Sequence, residues 1–169
     1  MKKLLITGAS GFLGWHLCKF AKKEWDVYGT YFSHSLEIPE TKLVKLDLTD
    51  FGELRRVFRE IQPAAVIHTA AQSQPNYCQT HVQESLLINV TTSLNIAKLC
   101  SDNSIPYVFT STDLVFDGLK GNYQEMDSVN PVNIYGEHKA MADVEILKQY
   151  PQAAICRMPL MFGNATPTA

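Results

Sequence analysis

Lys2-Lys3-Leu4-Leu5-Ile6-Thr7-Gly8-Ala9-Ser10-Gly11-Phe12-Leu13-Gly14 opens the chain, and its reading decides the fold. The apolar run Leu4-Leu5-Ile6 predicts a short buried strand. An amphipathic run from Trp15 to Lys23 follows the glycines and predicts a helix. Each glycine in the turn has its own use. Gly8 makes a tight turn off the strand, Gly11 leaves the backbone open to a phosphate, and Gly14 lets the helix pack closely on the sheet. The free amides and the dipole at the helix start then face an anion, here a pyrophosphate.

Working outward, strands and helices alternate to the end of the chain. Asp26–Tyr31 reads as the second strand and Leu43–Leu46 as the third, with a polar loop between them. Asp50 opens a helix, with Glu53 three residues on as a capping box. Phe51, Leu54, Val57, Phe58 and Ile61 give that helix one apolar face, and Pro63 ends it. Ala64–His68 is the fourth strand. A loop with Pro75 and Asn76 leads to one long helix from Val82 to Ser101. Pro106–Thr110 is the fifth strand, 116–133 a turn-rich loop, Ile134–Gln149 a helix, and Ala153–Arg157 the sixth strand. This alternation predicts an α/β fold: a doubly wound, Rossmann-like parallel sheet with helices on both faces.

The 169 residues suffice for one domain with a sizeable core, and no linker divides them. A formal net charge of −2 gives no footprint for nucleic acid or a membrane surface. No apolar run is long enough to span a bilayer, and Leu4-Leu5-Ile6 is too short for a signal peptide. The four cysteines, Cys18, Cys78, Cys100 and Cys156, form no Cys-x-x-Cys pair and no metal-like set with histidine. They read as reduced thiols of a cytoplasmic protein, and no metal is expected.

Three further places carry chemistry. After the second strand stands Tyr31-Phe32-Ser33-His34-Ser35, with no acidic residue to hold the ribose hydroxyls of NAD or repel a 2′-phosphate. Ser33, His34 and Ser35 are donors, which leans toward NADP, although no arginine accompanies them. At the carboxyl end of the fifth strand, where open parallel sheets bind ligands, lies Ser111-Thr112-Asp113-Leu114-Val115-Phe116-Asp117-Gly118. In Asn133-Ile134-Tyr135-Gly136-Glu137-His138-Lys139, Tyr135 and Lys139 are four apart and share one helix face. A tyrosine moves protons at neutral pH only if positive charge lowers its pKa, and Lys139 is placed to supply that charge.

Thr7-Gly8-x-x-Gly11-x-x-Gly14 resembles the short-chain dehydrogenase/reductase superfamily, and Phe12-Leu13-Gly14 its extended branch, which acts on nucleotide sugars. The run from Ser111 to Gly118 is similar to the dTDP-4-dehydrorhamnose reductases and to the related regulatory β subunit of methionine adenosyltransferase. The resemblance implies catalytic roles for Thr112, Tyr135 and Lys139, with Thr112 polarising the substrate carbonyl and Asp113 at the substrate. It implies cofactor contacts for Gly8, Ser10, Gly11, Phe12, Leu13 and Tyr31. Asp47, on the adenine amino group, and Leu48 continue that set. Thr69, Ala70 and Ala71 of the His68-Thr69-Ala70-Ala71 step, together with Asn89, Tyr135 and Lys139, complete it. Asn89 is expected to help position the lysine through water. His68 is read as a satisfied core histidine with no catalytic role. Arg157-Met158-Pro159-Leu160-Met161-Phe162-Gly163 resembles the strand end that closes over the nicotinamide.

The expected function is NAD(P)H-dependent reduction of a 4-keto nucleotide sugar, with NADP(H) ahead of NAD(H). The alternatives are a non-catalytic NADP-binding regulatory subunit and a nucleotide-sugar epimerase or dehydratase. Residues 1–169 are expected to form the dinucleotide-binding domain, with the substrate lobe of relatives absent after Asn164–Ala169. The expected partners are the nucleotide sugar and a second copy of the chain.

Overall fold

The structure is a computed structural model and describes residues 1–34 and 36–163. Six strands form one parallel sheet in the order β3-β2-β1-β4-β5-β6. They are β1 (Lys3–Thr7), β2 (Asp26–Tyr31), β3 (Thr41–Lys45), β4 (Ala65–His68), β5 (Tyr107–Thr112) and β6 (Ala154–Met158). The sheet runs outward from β1 in both directions. The switch point therefore falls between β1 and β4, where a cleft opens beyond the carboxyl ends of the strands.

Alternation along β1 sorts the core into two layers. Leu5 faces one way and packs with Val66, Phe109 and the apolar faces of α2 (Phe51–Ile61), α5 (Thr92–Asp102) and α6 (Ile134–Gln149). Leu4 and Ile6 face the other way, against Trp15 and Cys18 of α1 (Phe12–Ala21) and Ile38 of the β2–β3 loop. Helices thus lie on both faces, as expected of a doubly wound sheet. On α2, Leu54, Val57, Phe58 and Ile61 are all buried. Each contributes about 1.5–3 kcal/mol.

The local signals hold with three differences. Asp50 caps α2 by accepting from the Glu53 amide at 3.0 Å, but Glu53 does not return the bond. Its carboxylate goes to Arg56 at 3.2 Å, so the box is one-sided. Pro75 does not sit in a loop: it is the first residue of a short helix, α3 (Pro75–Thr80), where its missing N–H and fixed φ cost nothing.

The third difference matters most. The long helix from Val82 is not regular. It runs as α4 (Val82–Leu86), a π-helical turn over Leu87–Thr91, and then α5. Hydroxyls take up carbonyls in this stretch: Thr92 Oγ1 donates to Leu87 O at 3.0 Å and Ser93 Oγ to Asn89 O at 2.8 Å. Hydrophobic periodicity does not register one extra residue in a turn. π-turns of this kind often mark functional sites.

Candidate active site

A cleft of about 990 Å³ lies at the switch point, lined by the carboxyl ends of all six strands or the turns that follow them. Its floor is the glycine turn. Gly8 has φ +71°, and a Cβ there would stand 2.8 Å from the Ala70 Cα and amide nitrogen. The ends of β1 and β4 touch at this point, so only glycine fits. A Cβ on Gly14 would lie 2.2 Å from the Gly8 carbonyl. Gly14 therefore packs against the turn itself, more intimately than against the sheet. A Cβ on Gly11 would sit 3.3 Å from the same carbonyl.

Gly11 is the N-cap of α1, with no side-chain cap and no acidic residue in the first turn. The first amides of α1 have no partner in the helix, and Gly11 to Gly14 line the cleft. Ser10, Phe12 and Leu13 line the same wall. These residues fit a dinucleotide pyrophosphate: the backbone is bared where the phosphates go, and a Cβ at Gly8 or Gly14 would clash.

The adenosine end is built by β2 and β3. Tyr31 and Phe32 line the cleft, as do Asp47 and Leu48. Asp47 Oδ1 accepts from the Thr49 amide at 2.9 Å and the Thr49 hydroxyl at 2.6 Å. This Asx turn aims the carboxylate and leaves Oδ2 for an amino group. Ser33 and His34 hydrogen-bond to each other at 2.8 Å on the exposed rim, and Ser35 lies outside the described residues.

Thr69, Ala70 and Ala71 carry the cleft past β4. Thr69 Oγ1 donates to Thr7 O at 2.6 Å, fastening the two strand ends together. His68 lies just beneath, 1% exposed. Its Nδ1 is 2.6 Å from Thr7 Oγ1 and its Nε2 3.0 Å from Ser93 Oγ. Ser93 spends its proton on Asn89 O, so His68 Nε2 is the donor to Ser93 and Nδ1 accepts from Thr7. Burial, with Lys139 nearby, pushes the imidazole down to about 3. It is a neutral structural histidine, as its sequence context implied.

Asn89 does not line the cleft. It is fully buried, and its side chain pairs with the Gln72 main chain, accepting from N at 2.9 Å and donating to O at 3.0 Å. The side chain thus clamps the loop after β4. Asn89 Nδ2 also donates to Ser85 Oγ at 3.1 Å, and Ser85 meets His138 Nδ1 at 2.9 Å. This chain of bonds ties the π-turn to α6 beside Lys139.

Thr112, Asp113, Tyr135 and Lys139 meet in the same cleft. Thr112 ends β5 and caps a 3-10 turn (Asp113–Val115): its Oγ1 accepts from the Leu114 amide at 3.2 Å and donates to Asp113 Oδ1 at 3.1 Å. Gly136 lets α6 start against that turn, since a Cβ there would be 2.2 Å from Leu114 O. Asn133 caps α6 by accepting from the Gly136 amide at 2.8 Å. The glycine beside Tyr135 is therefore what brings the tyrosine up to the Thr112 turn.

The electrostatics differ from the simple pairing expected of Tyr135 and Lys139. Burial, with smaller contributions from Cys78 and Asp113, pushes the Tyr135 phenol up to about 12. Burial also brings the Lys139 ammonium down to about 7, opposed by Asp143. Lys139 is 2% exposed and lies over the Phe109 ring, 3.9 Å from its centroid. Burial thus dominates at both groups, in opposite directions.

The carboxyl-terminal strand end behaves in part as expected. Met158, Pro159, Leu160 and Met161 line the cleft, while Phe162 is 92% exposed and turns away from it. The Asn164–Ala169 stretch lies outside the described residues. Sequence reading missed Asp143 and placed Arg157 only at the head of that strand end; the two form an ion pair behind Lys139 (Nε to Oδ2, 3.0 Å), with Asp143 buried and Arg157 partly exposed. The only available signal was Asp143 one turn after Lys139 on the same helix face.

Known proteins resemble this chain along nearly its whole length. The methionine adenosyltransferase 2 subunit beta of Danio rerio is 34% identical over 164 residues, covering 96% of this chain and 49% of that protein. The chain therefore spans about half the length of the curated relatives it matches. A hypothetical dTDP-4-dehydrorhamnose reductase of Sulfolobus tokodaii superposes with a TM-score of 0.87 at 34% identity, over 98% of this chain and 58% of that one. The dTDP-4-dehydrorhamnose reductase of Bacillus anthracis, solved in complex with NADP, gives a TM-score of 0.85 at 26% identity, over 99% of this chain and 57% of that one. The sequence profile of the RmlD substrate binding domain matches residues 1–168, and the chain belongs to that family.

Proposed function

We propose that this chain is the dinucleotide-binding part of an NAD(P)H-dependent oxidoreductase that reduces a 4-keto nucleotide sugar, of the dTDP-4-dehydrorhamnose reductase kind within the short-chain dehydrogenase/reductase superfamily. One observation carries the reading: Thr112, Tyr135 and Lys139 converge on the cleft whose far wall is the glycine turn. The resemblance to reductases, one of them solved with NADP, supports it.

A bound reduced nicotinamide supplies the hydride. The remaining steps belong to the chain. The glycine turn and the α1 amides hold the pyrophosphate. Thr112 exchanges its bond to Asp113 for one to the substrate carbonyl. Tyr135 gives its proton to the developing alkoxide, and Lys139 holds the adjoining ribose and contributes positive charge when protonated. The raised Tyr135 pKa keeps the phenol protonated through neutral pH, the state a proton donor needs.

The cofactor is NADP(H) ahead of NAD(H), because no acid stands at the end of β2. The assembly is a homodimer: Met141, Val144 and Leu147 on the outer face of α6 are 47%, 44% and 42% exposed. Light scattering at high concentration tests the dimer, and a monomer counts against it.

A second reading has its own support, since methionine adenosyltransferase 2 subunit beta of several vertebrates is among the curated relatives. Under it the same cleft binds NADP without turnover. The deciding experiment uses the full-length protein. Oxidation of NADPH on addition of a dTDP-4-keto sugar supports the reductase. Binding of NADPH and of a methionine adenosyltransferase catalytic subunit, with no turnover, supports the regulatory reading.

A further inference from the structure

Behind Lys139 lie Asp143 and Arg157, which do not line the cleft, beside Ser111, which does. Asp143 follows Lys139 by one turn on α6, so the two share a face. It is 1% exposed. Ser111 on β5 and Arg157 on β6 are register partners and project from the sheet toward that face. Arg157 Nε donates to Asp143 Oδ2 at 3.0 Å. Asp143 Oδ1 and Ser111 Oγ are buried without a hydrogen-bond partner. Ser111 still lies close enough to act on the carboxylate without meeting hydrogen-bond geometry. Arg157 also reaches forward: its Nη1 donates to Glu125 O at 3.3 Å in the 116–133 loop, and its guanidinium lies over Phe116 at 5.2 Å.

A buried carboxylate, fixed on one oxygen and bare on the other beside a buried lysine, is costly unless its charge is used. We propose that Asp143 is a positioning residue for Lys139: held by Arg157, it is the counter-charge that favours the protonated lysine in its buried site. This deepens the reductase reading and rests on it only for its effect on turnover.

The electrostatics agree in direction. Burial lowers Lys139 and Asp143 opposes that fall; burial raises Asp143, while Ser111, Arg157 and Lys139 hold it down. The other titratable or charged groups around the ammonium are Tyr135 on its own helix, Asp113 in the turn after β5, His68 on β4 and Arg157 on β6, which acts through Asp143. His68 stays neutral to about pH 3 and Tyr135 to about pH 12. Of the two carboxylates, Asp143 is the one that acts on Lys139, against the effect of burial.

The test measures Lys139 directly, by NMR titration of lysine labelled at the ε-carbon, with Lys139→Arg to assign the signal. No turnover is required, so failure of the reductase reading leaves the test intact. In Asp143→Asn the Lys139 titration should move to lower pH by about one unit, and NADPH binding should weaken at a correspondingly lower pH. Asp143→Glu should restore both. If Asp143→Asn does not fold, Asp143→Asn with Arg157→Met removes the pair together and should show a smaller downward shift, because loss of the guanidinium's repulsion offsets part of the loss of the carboxylate. A folded charge-removing variant whose Lys139 titrates as in the wild type overturns the proposal. So does equal loss of NADPH binding at every pH, the mark of a purely structural role.

Discussion

The two halves of the sheet bind by different means. The half built from β1, β2 and β3 works with backbone: an αL glycine, a helix start without a side-chain cap, and a carbonyl that forbids a Cβ at Gly14. The half built from β4, β5 and β6 works with buried side chains, among them His68, Thr112, Lys139 and Asp143. The first recognises shape and negative charge and has little to titrate. The second sets protonation states by burial and is sensitive to pH. One cleft thus combines a rigid cradle with a tunable acid–base site.

The comparison breaks most sharply at Gly14. Gly14→Ala puts a methyl group against backbone that cannot yield, and should destabilise the fold by more than about 4 kcal/mol, read from urea midpoints. A shift below about 1 kcal/mol would mean that the cradle is softer than its geometry implies. The counterpart in the other half is Tyr135→Phe in the full-length protein. Turnover of a 4-keto nucleotide sugar should fall by about 10²–10⁴-fold, while fluorescence titration finds NADPH affinity intact. A loss of affinity as large as the loss of turnover would erase the division between the halves.

A smaller effect separates them by pH. His68 binds a proton at about 3 when folded and at an ordinary 6.5 when unfolded. Below pH 6.5 the unfolded chain therefore binds more protons, and stability falls as the pH drops toward 3. The slope contributed is at most about 1.4 kcal/mol per pH unit. His68→Gln should flatten the dependence of the urea midpoint on pH over this window, whatever its effect on stability at pH 7. An unchanged slope would show that His68 is not the titrating group. The smallest effect is Asp50→Ala, which removes the one-sided cap of α2. It should cost about 1 kcal/mol and leave cofactor affinity untouched.

Much of this was legible in the residues. The glycine spacing, the alternation of strands with helices and the caps at Asp50 and Asn133 are local, and local chemistry repeats wherever its sequence does. Tyr135 and Lys139 share a face because helical geometry dictates it. The same locality explains what was not legible. The π-turn depends on side chains of Thr92 and Ser93 choosing carbonyls a turn away, with Asn89 clamping a loop 17 residues back. Helix α3 was signalled by Pro75, which serves equally at a loop or at a first helical position.

The order of elements, the open backbone of the glycine turn and the shared helix face of Tyr135 and Lys139 follow from the sequence alone. They rest on short-range sterics and on periodicity. Which charges those residues carry was decided only by the tertiary structure. Burial leaves Tyr135 a weak acid and Lys139 near neutrality, and Asp143 and Arg157 come together from α6 and β6. Desolvation and long-range pairing depend on what surrounds a group in space, and a linear pattern does not carry that information.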